Sequence, residues 1–147
     1  MTPDVNVLVA ASRADHPHHA AARVWLEDVV NASGAGAAFT LMPMVLASFL
    51  RLVTSPKIFR QATPIEDALA FVDALLACPG VRLAPLGPEW PKLRQLCVDK
   101  QLGGNEIPDV WLAAVVVHLG EHLVSFDRDL RKLLPRSQFT LLAPVQR

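Results

Sequence analysis

The stretch IPDVWLAAVVVHLGEHLVSFDRDL, residues 107–130, decides the fold class. Residues 107–120 are apolar nearly all round, which predicts a buried helix rather than an amphipathic one at the surface. HLVSF at 122–126 is a short apolar run of strand length, and DRDLRKLL at 127–134 predicts a helical turn or two. Against this apolar text Asp109, Asp127 and Asp129 stand out, because they fall where apolar segments begin or end.

Working outward, QFTLLAP at 138–144 predicts a final strand, and Gly103 with Gly104 stops a helix expected over Trp90–Leu102. GVRLAPL at 80–86 reads as a short strand. In TPIEDALAFVDALLA, residues 63–77, Thr63 and Glu66 have capping-box spacing, and Pro64 suits the first helical position. Ile65, Leu69, Val72 and Leu76 are the stripe expected to face inward. A helix is expected from near Thr40 to Pro56, preceded by a strand-like GAAFT. Another is expected from Asp15 to Gly34 with Pro17 in its first turn. VNVLVAA at 5–11 fits either a strand or a helix. Short strands alternating with helices imply an α/β sandwich around a mostly parallel sheet.

At 147 residues the chain is expected to be a single domain spanning 1–147, burying roughly two-thirds of its unfolded surface. It is 52% hydrophobic and 19% charged, yet its longest uncharged run contains Ser, Thr, Gly and Pro, so no membrane span is expected. No signal peptide is visible, and a cytoplasmic protein is the default expectation. Fourteen basic and fourteen acidic side chains cancel, so net charge does not advertise a nucleic-acid partner. Cys78 and Cys97 lack metal-ligand spacing and are expected to be buried, reduced thiols.

In open α/β sheets functional groups collect beyond the carboxyl ends of the strands. Asp4 would close a first short strand, Asp127 closes HLVSF with Asp129 just beyond, and Asp109 opens the buried helix. Several carboxylates at one sheet edge repel one another unless a cation lies among them. Mg²⁺ or Mn²⁺ suits such oxygen ligands. Taken singly, Asp109 is also a plausible helix cap, and Asp127 with Asp129 a plausible turn.

The segments PDVNVLVAA, LASFLRLVTSPKIF, NEIPDVWLAAVVVHLG and LVSFDRDLRKL, in this order and spacing, resemble the PIN-domain ribonucleases, and within them the VapC-type toxins of bacterial toxin–antitoxin pairs. The resemblance runs from end to end of the chain. It implies an α/β/α sandwich and a metal-dependent endoribonuclease that hydrolyses RNA phosphodiesters with a metal-activated water. It also implies a homodimer held in check by a cognate VapB-type antitoxin. On this resemblance Asp4, Asp109 and Asp127 are the catalytic acids and metal ligands, with Asp129 assisting. Asn6 braces the turn after Asp4, and VNVLVAA becomes helical. Ser125 is a polar neighbour of the metal, and Asn105 and Glu106 flank the site. Many members have a glutamate before the Phe of an EFLR-like string; here the string is SFLR and Ser48 takes that place.

Arg51, Lys57, Arg60, Arg128 and Arg131 are candidate phosphate contacts, although each equally suits a solvated surface. HPHH at 16–19 is expected to be a solvated helix start rather than a ligand set, and His118 a core or interface residue. Trp25, Trp90 and Trp111 are expected in core or dimer packing rather than in base stacking. Two rival functions follow. A phosphatase with an Asp nucleophile would need an acid where Asn6 stands, and a receiver-like domain a lysine that SFDRD does not offer. A degenerate PIN domain that binds RNA or a protein without cleavage is the alternative that Ser48 keeps open.

Overall fold

The computed structural model describes residues 1–143; Pro144, in the expected final strand, lies outside them. The chain opens on β1 (Thr2–Pro3). Asp4 then accepts the Val5 N–H at 2.7 Å and caps α1 (Val5–Ser12). VNVLVAA is therefore a helix, with Val7 to Ala11 all buried. The ladder bonds of β1 come from Thr2 N–H to His122 O and Asp4 N–H to Val124 O, both 2.9 Å. Pro3 falls between these donors, so its missing N–H costs this edge no hydrogen bond.

α2 (His19–Gly34) starts later than expected, because residues 13–18 are wound into successive turns that begin at Arg13. β2 (Phe39–Leu41) takes Thr40, and α3 (Pro43–Val53) waits for Pro43, whose fixed φ suits a first turn. In α4 (Ile65–Leu76) Pro64 is the cap rather than the first helical residue, and Thr63 makes no capping bond. The threonine hydroxyl instead accepts from Arg13 Nη1 at 3.0 Å. The buried face of α4 is Ala68, Val72 and Leu75, while Ile65 and Leu69 are 45% and 42% exposed. The helix packs on α3 and on the Val81–Leu83 strand with Ala68, Val72 and Leu75 turned inward.

β3 (Val81–Leu83) and α5 (Trp90–Lys100) follow, the helix ending at Gln101 with φ +50°. α6 (Ile107–Leu119) is buried from Val110 through Leu112 to Val116 and closes at Gly120, φ +65°. β4 (Leu123–Ser125) leads into a 3₁₀ turn at Arg128–Lys132, and β5 (Phe139–Leu141) is the last element. β1 pairs with β4, β4 with β5 and β2 with β3, all parallel. The Thr40 N–H to Met1 O bond and the Met1 amine to Ala38 O bond, both 2.9 Å, bring β2 alongside β1. α1 packs on α2 and α3, α3 on α4, and α5 on α6, giving an α/β/α sandwich. Among the described residues no helix is long and apolar enough to cross a membrane. Cys78 and Cys97 are free thiols but only half-buried.

Candidate active site

The carboxyl ends of β1 and β4 lie side by side, so Asp4 and Ser125 meet across the sheet edge. Asp4 is 7% exposed, and its Oδ2 accepts the Ser125 hydroxyl at 2.7 Å and the Asn6 amide at 3.3 Å. Asn6 Oδ1 accepts the Phe126 N–H at 3.2 Å, while Ser125 Oγ accepts the Asp127 N–H at 2.9 Å. Asn6 thus ties the start of α1 to the end of β4. Asp127 in turn accepts the Asp129 N–H at 2.8 Å and caps the 3₁₀ turn.

Asp109 enters from the first turn of α6. A cleft of about 250 Å³ is lined by the polar side chains of Asp4, Asp109 and Ser48 and by the apolar ones of Met44, Ile107, Trp111 and Leu112. Asp109 also borders a neighbouring cleft of about 370 Å³, with Asn105, Glu106, Asp129 and Lys132. Burial raises the Asp4 carboxyl above its ordinary 3.8; donors from Ser125 and Val5 pull it back, and the charges of Asp109 and Asp127 raise it further. Asp109 is likewise raised, first by lost solvation and then by Asp127 and Asp129. These carboxylates therefore feel one another, as groups gathered at one edge must.

Gathering stops short of a closed cage. Among the described residues no three His, Cys, Asp or Glu side chains form a ready metal-binding group. The expected set of Asp4, Asp109, Asp127 and Asp129 is drawn apart by local partners. Asp4 turns to Ser125 and Asn6, Asp127 caps its own turn, and Asp129 pairs with Lys132 at 3.3 Å. The donor chemistry still suits a hard cation. Mg²⁺ is commonly held by one or two carboxylates while keeping several waters, and Asp4 with Asp109 on one cleft offers such a pair.

Other expected residues fall elsewhere. Arg51, Lys57 and Arg60 are exposed at the end of α3 and the turn after it, and Arg128 is exposed in the 3₁₀ turn. Arg131 lines a separate cleft with Arg136 and Phe139. The histidines at 16–19 are not a solvated helix start. His18 stacks on Phe126 at 4.6 Å between ring centroids, and His19 Nδ1 lies 2.8 Å from the Ala10 carbonyl. His118 is exposed rather than in the core. Trp25 meets core Phe39 edge-on at 6.1 Å, whereas Trp90 is 64% exposed. Three residues near the clefts escaped the sequence reading: Lys132, Trp111 as a wall, and Glu89, which binds the Trp111 indole. Only Lys132 had a local signal, its i,i+3 spacing from Asp129.

Residues 1–133 match the family model described as PIN domain. The chain is 42% identical over 130 residues to Ribonuclease VapC25 of Mycobacterium tuberculosis, covering 88% of this chain and 89% of that one. It is 42% identical over 132 residues to Ribonuclease VapC31 of the same species, again covering 88% and 89%. A structure of VapBC2 from Rickettsia felis bound to a DNA fragment from their promoter matches with a TM-score of 0.61, covering 94% of each chain at 14% identity. That likeness speaks for the fold.

Proposed function

The chain belongs to the PIN-domain family, and from that premise we propose that it is a metal-dependent endoribonuclease, the toxin of a bacterial type II toxin–antitoxin pair. The names of its 42%-identical relatives support the ribonuclease reading, and the VapBC2 complex supports a VapB-type antitoxin partner. The observation that carries it is the shared cleft of Asp4 and Asp109, where each carboxyl is raised above its ordinary range at the open edge of a parallel sheet. A cytoplasmic homodimer, one domain over 1–147, completes the reading.

Asp4 and Asp109 would hold a divalent cation, Mg²⁺ or Mn²⁺, with Asp127 approaching from the end of β4. Bound there, the cation supplies an activated water and offsets charge on the phosphorane-like transition state. Asp4 takes a fixed orientation from Ser125 and Asn6, so its carboxylate need not reorganise. Asp109 stands less buried at the cleft mouth, free to accept the proton that the attacking water gives up. Ser125 and Asn6 position; they carry no charge to the reaction. Asn105, Glu106 and Asp129 border the adjoining cleft, where Lys132 supplies a positive charge for an RNA phosphate. Arg51 and the other exposed arginines add affinity without sequence reading.

A second reading, a non-cleaving PIN domain, draws support from Ser48. Its hydroxyl borders the Asp4–Asp109 cleft and offers a weaker ligand than a carboxylate would. The test is incubation of antitoxin-free protein with a mixed RNA pool plus Mg²⁺ or Mn²⁺, with a chelator control and Asp109→Asn in parallel. Cuts that need both metal and Asp109 are expected. RNA binding without cuts by wild type would favour the second reading, with Ser48→Glu as the variant to restore cleavage.

A further inference from the structure

We infer that Trp111 is a stacking platform for one base of the bound RNA and that Glu89 fixes its orientation, an inference that rests on the ribonuclease reading. Trp111 is half-buried on α6 and forms part of the apolar wall of the cleft, with Met44, Ile107 and Leu112 beside it. Its indole N–H donates to Glu89 Oε1 at 2.8 Å. The other Glu89 oxygen accepts the Gly87 N–H at 2.7 Å. Glu89 is 5% exposed, and among the described residues no ion pair reaches it. Burying a carboxylate is unfavourable, and these two charge-assisted bonds offset the cost. One of them sets the rotation of the indole about its side chain.

The cleft lining thus has two chemical characters. Asp4 and Asp109 suit a cation and the phosphate it would bind, while Met44, Ile107, Trp111 and Leu112 supply apolar and aromatic surface. A nucleotide carries the same two characters in one molecule, a charged phosphate and a planar base. An aromatic face held beside a phosphate site is how proteins grip single-stranded RNA with little sequence preference. The indole N–H is already taken by Glu89, so Trp111 offers the base a face and no edge hydrogen bond. Selectivity at this subsite therefore follows stacking strength rather than base identity.

The experiment uses the full chain carrying Asp109→Asn, so that RNA stays uncut, and a fluorescently labelled mixed-sequence RNA octamer pool. Binding is read by anisotropy and by quenching of tryptophan emission. Trp111→Ala should weaken binding about tenfold or more, the loss of one base stack. Trp111→Phe, which keeps a ring but gives up the Glu89 bond, should fall between Trp111→Ala and the parent in affinity and lose most of the quenching. Glu89→Gln, which can still accept from the indole, should bind like its parent, whereas Glu89→Ala should bind more weakly. In proteins with Asp109 intact, Trp111→Ala and Glu89→Ala should raise KM by a larger factor than they lower kcat. RNA affinity equal in all wall variants overturns the inference alone and leaves the apolar wall to a protein partner. Absence of RNA binding and cleavage by the parent proteins overturns the ribonuclease reading as well.

Discussion

The two ends of α1 both carry a buried charged residue, and they are treated in opposite ways. At the N-terminal end Asp4 caps the helix, where an anion favours the macrodipole, yet its carboxyl is raised by burial and by Asp109 and Asp127. At the C-terminal end stands Arg13, 8% exposed, whose guanidinium is almost fully engaged. It grips Asp15 through Nε at 3.0 Å and Nη2 at 2.8 Å, donates to Thr63 and to the Gln61 carbonyl, and lies 3.9 Å over the Phe59 ring. One end concentrates like charge, and among the described residues no ion pair reaches Asp4, Asp109 or Asp127; the other satisfies a cation from every side. Perturbed carboxyls gathered in a cleft mark a candidate site, so the comparison separates a candidate site from a joint.

The largest effect expected from breaking this contrast is at the acidic end. Asp4→Asn keeps an N-cap but removes a charge, and should lower metal-dependent RNA cleavage roughly a hundredfold or more, beyond what outer positioning groups usually cost. A variant that cleaves normally would move the chemistry away from β1. Next comes the joint. Arg13→Met should destabilise the fold by about 2–3 kcal/mol through lost charged hydrogen bonds and cation–π contact. Denaturant unfolding measures the loss, and cleavage per folded molecule should be unchanged. The smallest effect is the pH dependence of stability in chelator. Asp4 and Asp109 have folded pKa values above the ordinary 3.8, so between the unfolded and folded values the folded chain binds more protons. Stability contributed by these groups therefore falls as pH rises through that window. Thermal melts of Asp4→Asn should show a shallower fall there than wild type, and a steeper one would contradict a carboxyl raised by burial and by its acidic neighbours.

The parts legible in sequence were those written into short runs. Asp4, Asp109 and Asp127 interrupt apolar text at strand and helix boundaries, and the alternation of elements follows from local pattern. Phase was harder than period. In α4 the expected stripe of Ile65, Leu69, Val72 and Leu76 holds at Val72, but Ala68 and Leu75 share the buried face with it while Ile65 and Leu69 are exposed, a choice of phase made by packing against α3 and β3. Side-chain partnership across distance was invisible. Glu89 and Trp111 lie 22 residues apart, and nothing near either announces the other. The histidines at 16–19 read as solvated because Phe126, on which His18 stacks, belongs to the far end of the chain.

The passage from β1 to α1 has a further consequence for how this chain can vary. Asp4 alone separates Pro3 in the strand from Val5 in the helix, so the crossing contains no slack. One inserted residue would turn α1 by about 100° about its axis. Its five buried residues would rotate out of register with α2 and α3, and Asn6 would swing away from Ser125 and Phe126. Substitution is open to this segment in several directions; a change of length is closed to it.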